Sequence, residues 1–297
     1  MNRLHGLVRF PTLALPKLAL PKLTSRPLAV GGLILLTVVA LAVLAQQLYP
    51  GDPLDIVGRP NLWPGAPGHF LGTDMMGRDM AAGVVHAARV SLMVGLFAAL
   101  LSVFIGIVVG LCAGYFGGWV DDVAMRVTEM FQTLPSFLFA IVLVVILTPS
   151  LGSIVFAIGV TSWPQIARLV RAEAMRVRHA EYVKAAVTLG LGHGRIIAAH
   201  VLPNSIAPVV VAASVLMAQA ILTEASLSFL GLGDPNVISW GSMVGVGRST
   251  LRTAWYMTAL PGLAIFVTVI SFMLLGNGLN DKLNPRCLLY TSDAADE

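Results

Sequence analysis

From Leu28 to Leu48 the chain runs without a single charged residue, and that run decides which solvent it folds in. A helix that crosses a bilayer needs roughly 20 apolar residues, because every backbone polar group must be satisfied inside the segment. The run is long enough to cross. It also exceeds the apolar core of a secretory signal, usually about 7–15 residues, although Val43-Leu44-Ala45 loosely fits a cleavage site. Five more apolar segments follow, with spans expected near 88–114, 123–147, 151–171, 205–226 and 256–278. Charged residues make up 11% of the 297, against about 25% in an ordinary soluble domain. The expected fold is one all-α polytopic membrane domain of about six transmembrane helices.

The polar segments divide the chain. Residues 1–26 hold the tandem ALPKL repeat, Ala14 to Leu18 and Ala19 to Leu23, whose prolines break a helix, and read as a flexible basic tail. A first transmembrane helix over 27–49 leads to an extramembrane loop over 50–87, and the membrane domain proper occupies 88–286. Within it lie a basic loop, 172–204, and a connection rich in Gly, Ser and Trp, 227–255. Residues 287–297, CLLYTSDAADE, resemble a translated sequencing adapter, the alternative being a genuine polar tail. Lys and Arg crowd the tail and the basic loop, leaving only Arg59, Arg78, Arg89, Arg248 and Arg252 on the other side of the membrane. Both termini and the basic loop are therefore expected in the cytoplasm.

The net charge of +4 comes without a basic run interleaved with aromatics, so nucleic acid is not an expected partner; the bilayer is. Cys112 and Cys287 are too few for a disulfide framework or a cysteine zinc site, and the six histidines lack zinc-ligand spacing, so no metal is expected. Neither HExxH nor GxSxG occurs. The four lysines follow Pro16, Pro21, Val183 and Asp281, so no Walker A loop holds a phosphate. No catalytic residue is expected.

Five constellations stand out. Ala98, Ser102, Gly106, Gly110 and Gly114 recur every fourth residue and predict a close helix crossing, around a pore, against a partner subunit, or within the chain. In the basic loop Tyr182, Ala185, Ala186 and Leu189 share one helical face. Gly190 and Gly192 are placed to stop that helix with positive φ, a second short helix is expected near Arg195 to His200, and Pro203 sets up the next span. The result is a helix-turn-helix knob suited to a groove in another protein, or a solvated basic loop on anionic lipid. Third, Gln219 and Glu224 near the outer end of span five read as lining a path or contacting a partner protein or, for Glu224, as an interfacial carboxylate in water. Arg126, Glu129, Asp121 and Asp122 suggest a structural ion pair within span three. In the outer loops Asp74, Arg78, Asp79 and Trp240 offer either a docking surface or plain loop packing.

The knob resembles the EAA loop of binding-protein-dependent ABC permeases: Ala185, Ala186, Gly190, Leu202 and Pro203 match its spacing, with Lys184 in place of the glutamate and His200 in place of the isoleucine. The phrases LGTDMMGRD (Leu71 to Asp79), ARVSL (Ala88 to Leu92), AGYFGGWVDD (Ala113 to Asp122), ARLVRAE (Ala167 to Glu173), EASLSFLGLG (Glu224 to Gly233) and SWG (Ser239 to Gly241) resemble one branch. That branch is the second permease of dipeptide, oligopeptide, nickel and glutathione importers. The resemblance implies a type I importer permease fold and a transport subunit without its own ATPase site, in the cytoplasmic membrane of a bacterium or archaeon. It implies a heterodimer with a homologous permease, two ABC ATPases that use ATP and Mg, and an extracytoplasmic substrate-binding protein. It further implies an ATPase-coupling surface comprising Glu181, Tyr182, Lys184, Ala185, Ala186, Leu189, Gly190, Arg195, His200, Leu202 and Pro203. An ion-driven secondary transporter or a non-transporting scaffold are the alternatives; the first should show paired ionisable residues deep in broken helices, of which there are few, and the second has no need of the EAA spacing.

Overall fold

The computed structural model describes residues 26–283, so the ALPKL repeat and the adapter-like tail lie outside the described residues. Helices dominate, and no strand occurs among the described residues beyond two isolated bridges in one loop. The first span, α1 (Arg26–Val43), stops at Leu44, and the short α2 (Ala45–Leu48) follows. After the loop comes α3 (Met80–Phe116), whose 37 residues extend about 55 Å at the helical rise, beyond the roughly 30 Å of apolar core. It begins ahead of residue 88 because Asp79 caps it: one carboxylate oxygen accepts from the amides of Ala81 and Ala82 at 2.7 and 3.0 Å.

The third span is not the continuous helix expected over 123–147. It is α4 (Gly118–Thr133) followed by α5 (Ser136–Leu147), bent by 84°. Pro135 lacks an amide hydrogen and drives the preceding Leu134 to extended geometry, φ −91° and ψ 135°, which ends α4. Ser150 caps α6 (Leu151–Arg178), which continues past residue 171 and delivers the chain directly to the knob. The knob holds α7 (Glu181–Thr188) and α8 (His193–Ile196). The remaining helices are α9 (Leu202–Phe229), α10 (Trp240–Gly247) and α11 (Tyr256–Leu283). Among the described residues five helical stretches are long and apolar enough to cross a membrane, or six with the bent α4–α5 pair counted as one span.

The small-residue stripe of α3 lies against α6. A Cβ on Gly106 would stand 2.6 Å from Ile166 Cβ, one on Gly110 2.5 Å from the Ala167 carbonyl oxygen, and one on Gly114 2.6 Å from the Arg171 carbonyl oxygen. Ser102 Oγ donates to the Gly159 carbonyl at 3.0 Å, and Ala98 is fully buried. Of the three placements open for the stripe, the crossing within the chain is the one it occupies. At the far end from the knob, the loop over 50–79 is tied to α11. Tyr256 Oη lies 2.8 and 2.9 Å from the carbonyl oxygens of Leu62 and Thr73, and Trp63 packs on the Tyr256 ring.

Candidate functional site

The knob is built on α6. Val183 and Ala186 turn inward, joining Ala174, Val177, Ile196 and Val201 in a single cluster that continues to Tyr115 of α3 and Val209 of α9. The expected apolar face is therefore split. Ala186 is buried at 7% exposure, whereas Tyr182, Ala185 and Leu189 point away, Leu189 at 80% exposure. The reason is helical phase: Val183 precedes Ala186 by three positions, and those two residues rather than Tyr182 or Leu189 meet the end of α6. Outside remains a patch of Tyr182, Ala185 and Leu189, flanked by the Glu181–Lys184 ion pair at 3.0 Å.

Gly190 ends the helix with φ +76°, as its spacing suggested, but Gly192 does not share that role: its φ of −66° is ordinary and it leads into α8. Nor is the helix after Gly192 a separate piece ending near His200. It passes through a π turn, Ile197–Val201, into α9. Pro203 lies within this run and has no amide to donate, and a widened turn accommodates such a missing bond. Arg195 is exposed on α8, Pro203 is exposed and Leu202 half-buried at the start of α9, and the His200 ring stands 6.3 Å from that of Tyr182.

Two contacts not expected from the sequence tie the knob to α3 and α4 to α6. Tyr115 Oη, at the end of α3, lies 2.9 Å from His193 Nδ1, and Phe116 packs edge-on to the same ring. Asp121 pairs not with Arg126 but with Arg171 of α6, through Nη2 to Oδ2 at 2.6 Å, while Arg126 and Glu129 lie exposed. Both Asp121 and Arg171 fall inside the family-like phrases, which was the available signal. Their pairing crosses from one phrase to another, and spacing within a helix does not register it. The knob, α3, α4 and α6 thus form one mechanical piece.

On α9, Val215, Gln219, Leu222 and Ser226 lie exposed along one face. Glu224 does not belong to it and does not sit in water. At 1% exposure it lies on the opposite side of the helix, accepting from Ser91 Oγ at 3.2 Å and Ser228 Oγ at 2.7 Å. The outer-loop residues mostly serve the loop itself. Asp74 accepts from the amides of Met76 and Arg78, Asp79 accepts at the start of α3 and pairs with His69 at 3.0 Å, and buried Trp240 donates its indole N–H to the Val84 carbonyl at 2.9 Å. Arg78 is half-buried, with its Nε shielded from solvent. No group of three or more His, Cys, Asp or Glu placed to hold a metal occurs among the described residues.

Residues 106–288 match the family described as binding-protein-dependent transport system inner membrane component. The glutathione transport system permease protein GsiD of Pectobacterium atrosepticum is 38% identical over 257 residues, covering 86% of this chain and 85% of that protein. The dipeptide transport system permease protein DppC of Alkalihalophilus pseudofirmus is 37% identical over 261 residues, 87% and 86% of the two chains. DppC of Bacillus subtilis is 38% identical over 289 residues, 96% and 90%. Among solved structures, a chain of the MetNI methionine ABC transporter in an inward-facing conformation superposes with a TM-score of 0.55 at 19% identity, over 69% of this chain and 98% of that one. At that identity the likeness speaks for the fold.

Proposed function

We propose, from the premise that this chain belongs to the binding-protein-dependent transport system inner membrane component family, that it supplies half of the path through which an ATP-driven importer moves di- or oligopeptides. As a member of that family it is a multi-pass transport subunit, and ATP hydrolysis belongs to partner subunits. The finer assignments are ours: a homologous permease as second half, two ATPases using ATP and Mg, an extracytoplasmic substrate-binding protein, no cofactor held by this chain, and both termini in the cytoplasm. Peptides are the preferred cargo because several relatives are named for them, including the di/tripeptide permease DppC of Pseudomonas aeruginosa. The glutathione permease at comparable identity keeps glutathione as the second reading, and nickel, implied by the sequence resemblance alone, is the third.

The observation that carries the mechanism is the outward patch of Tyr182, Ala185 and Leu189 on a knob whose inner face is fused to α3, α6 and α9. An apolar patch on a polar loop is a docking surface, and its rigid backing converts a push on the patch into tilting of the spans. ATP-driven closure of the partner ATPases would then swing the exposed face of α9 around Gln219 between two accessibilities. Leu189→Asp and Ala185→Asp place a charge on the docking face without touching the buried side. Each should leave the chain folded and inserted while abolishing ATP-dependent uptake in reconstituted vesicles. Uptake at the wild-type rate would count against the coupling role.

A further inference from the structure

Glu224 takes no part in the path proposed above, yet it is the one charged side chain in the buried core of the described residues. Its two oxygens serve different elements. Oε1 accepts from Ser228, one turn along α9, and Oε2 accepts from Ser91 of α3. Ser91 Oγ in turn accepts from the backbone N–H of Trp240, the first residue of α10, at 3.4 Å, and Ser239, which caps α10, also approaches the carboxyl. ARVSL, EASLSFLGLG and SWG, three phrases far apart in the chain, therefore converge on a single carboxylate.

An apolar residue would fill such a site at lower cost, since a buried polar group must recover its lost hydration through hydrogen bonds. What the carboxylate supplies is register. A Cβ on Gly241 would stand 2.5 Å from Ala225 Cα, and one on Gly245 3.2 Å from Phe229 Cα, so α10 rests backbone to backbone on α9 along a glycine face. A face without side chains offers few knobs to stop sliding, and the polar ties at the start of α10 fix where it lies. On the opposite side of the same turn of α9, Leu222 and Ser226 wall an open recess of about 430 Å³ together with Phe137, Phe229, Gly241 and Val244. The position of α10 thus shapes one wall of that recess.

We propose that Glu224 is the positioning residue that fastens α10 and the outer part of α9 to α3, and thereby sets the shape of the outer end of the translocation path. This rests on the path reading of the exposed α9 face. The test uses the complete assembly in lipid vesicles, with spin labels at the exposed Arg89 and Val246 positions and with labelled dialanine and labelled glutathione as cargo. For Glu224→Ala, the label-to-label distance distribution should broaden and the maximal import rate fall about tenfold or more, as displacement of about an ångström does to a positioned site. ATP hydrolysis without binding protein should stay at the wild-type level. Glu224→Gln, which keeps one acceptor oxygen, should recover most of the import rate. An unchanged distribution, or an unchanged import rate, overturns the role. If Glu224→Ala does not assemble, Ser91→Ala is read by the same two criteria. A wild-type assembly that imports neither cargo sinks the dipeptide and glutathione readings of the path, whereas an importing wild type beside an unaffected variant sinks only the role of Glu224.

Discussion

A glycine in a helix costs about 1 kcal/mol relative to alanine, so a stripe of them must be offset by what their absent side chains allow. Along α3 that gain is backbone contact with α6, and it makes the glycines unequal. Gly110→Val would drive a side chain into the Ala167 carbonyl and Val170, both in a helix that has no room to retreat. Overpacking of this kind costs about 1–3 kcal/mol or more, and the melting temperature of the purified chain in detergent should fall accordingly. Gly152 and Gly262, with open space around them, should accept alanine with an unchanged or slightly raised melting temperature. The four-residue spacing was legible in the sequence because it is a local property. Its partner helix was not, since Gly106, Gly110 and Gly114 would look the same facing a pore. The same limit explains Glu224: a glutamate near a span end reads as interfacial until Ser91, 133 positions away, is brought beside it.

At the scale of elements, the apolar runs located the spans well because hydrophobic length is a one-dimensional signal. Breaks within them were harder. Pro135 bends the third span by 84°, whereas Pro164 and Pro261 sit inside continuous helices, so proline alone does not announce a bend. The α4 half is held in place by the Asp121–Arg171 pair, which ties it to α6. Asp121→Asn should speed amide exchange throughout α4 while leaving α5 unchanged, as hydrogen-exchange mass spectrometry would show; equal protection in both proteins would mean that packing alone holds α4. The charge swap Asp121→Arg with Arg171→Asp should restore part of that protection. The knob was legible as a motif, but its inner and outer faces were not, because Ala185 and Ala186 are neighbours in sequence and opposites in burial.

At the scale of the whole molecule, the knob and the loop over 50–79 lie at opposite ends of α3, one against Tyr115 and the other leading into Asp79. The excess of Lys and Arg supports the proposal that the knob faces the cytoplasm. A cysteine at Lys184 should then react with a membrane-impermeant maleimide only in inside-out vesicles, and one at Arg248 only in right-side-out vesicles; the reverse pattern would invert the topology. The central claim is narrower, that the exposed face of the knob is where nucleotide-driven partners take hold. Photo-cross-linking from position 189 in the native membrane tests it most directly. The expected result is an adduct with the ATPase subunit whose yield changes when ATP is supplied. An assembled, transport-competent complex in which position 189 captures only lipid would contradict it.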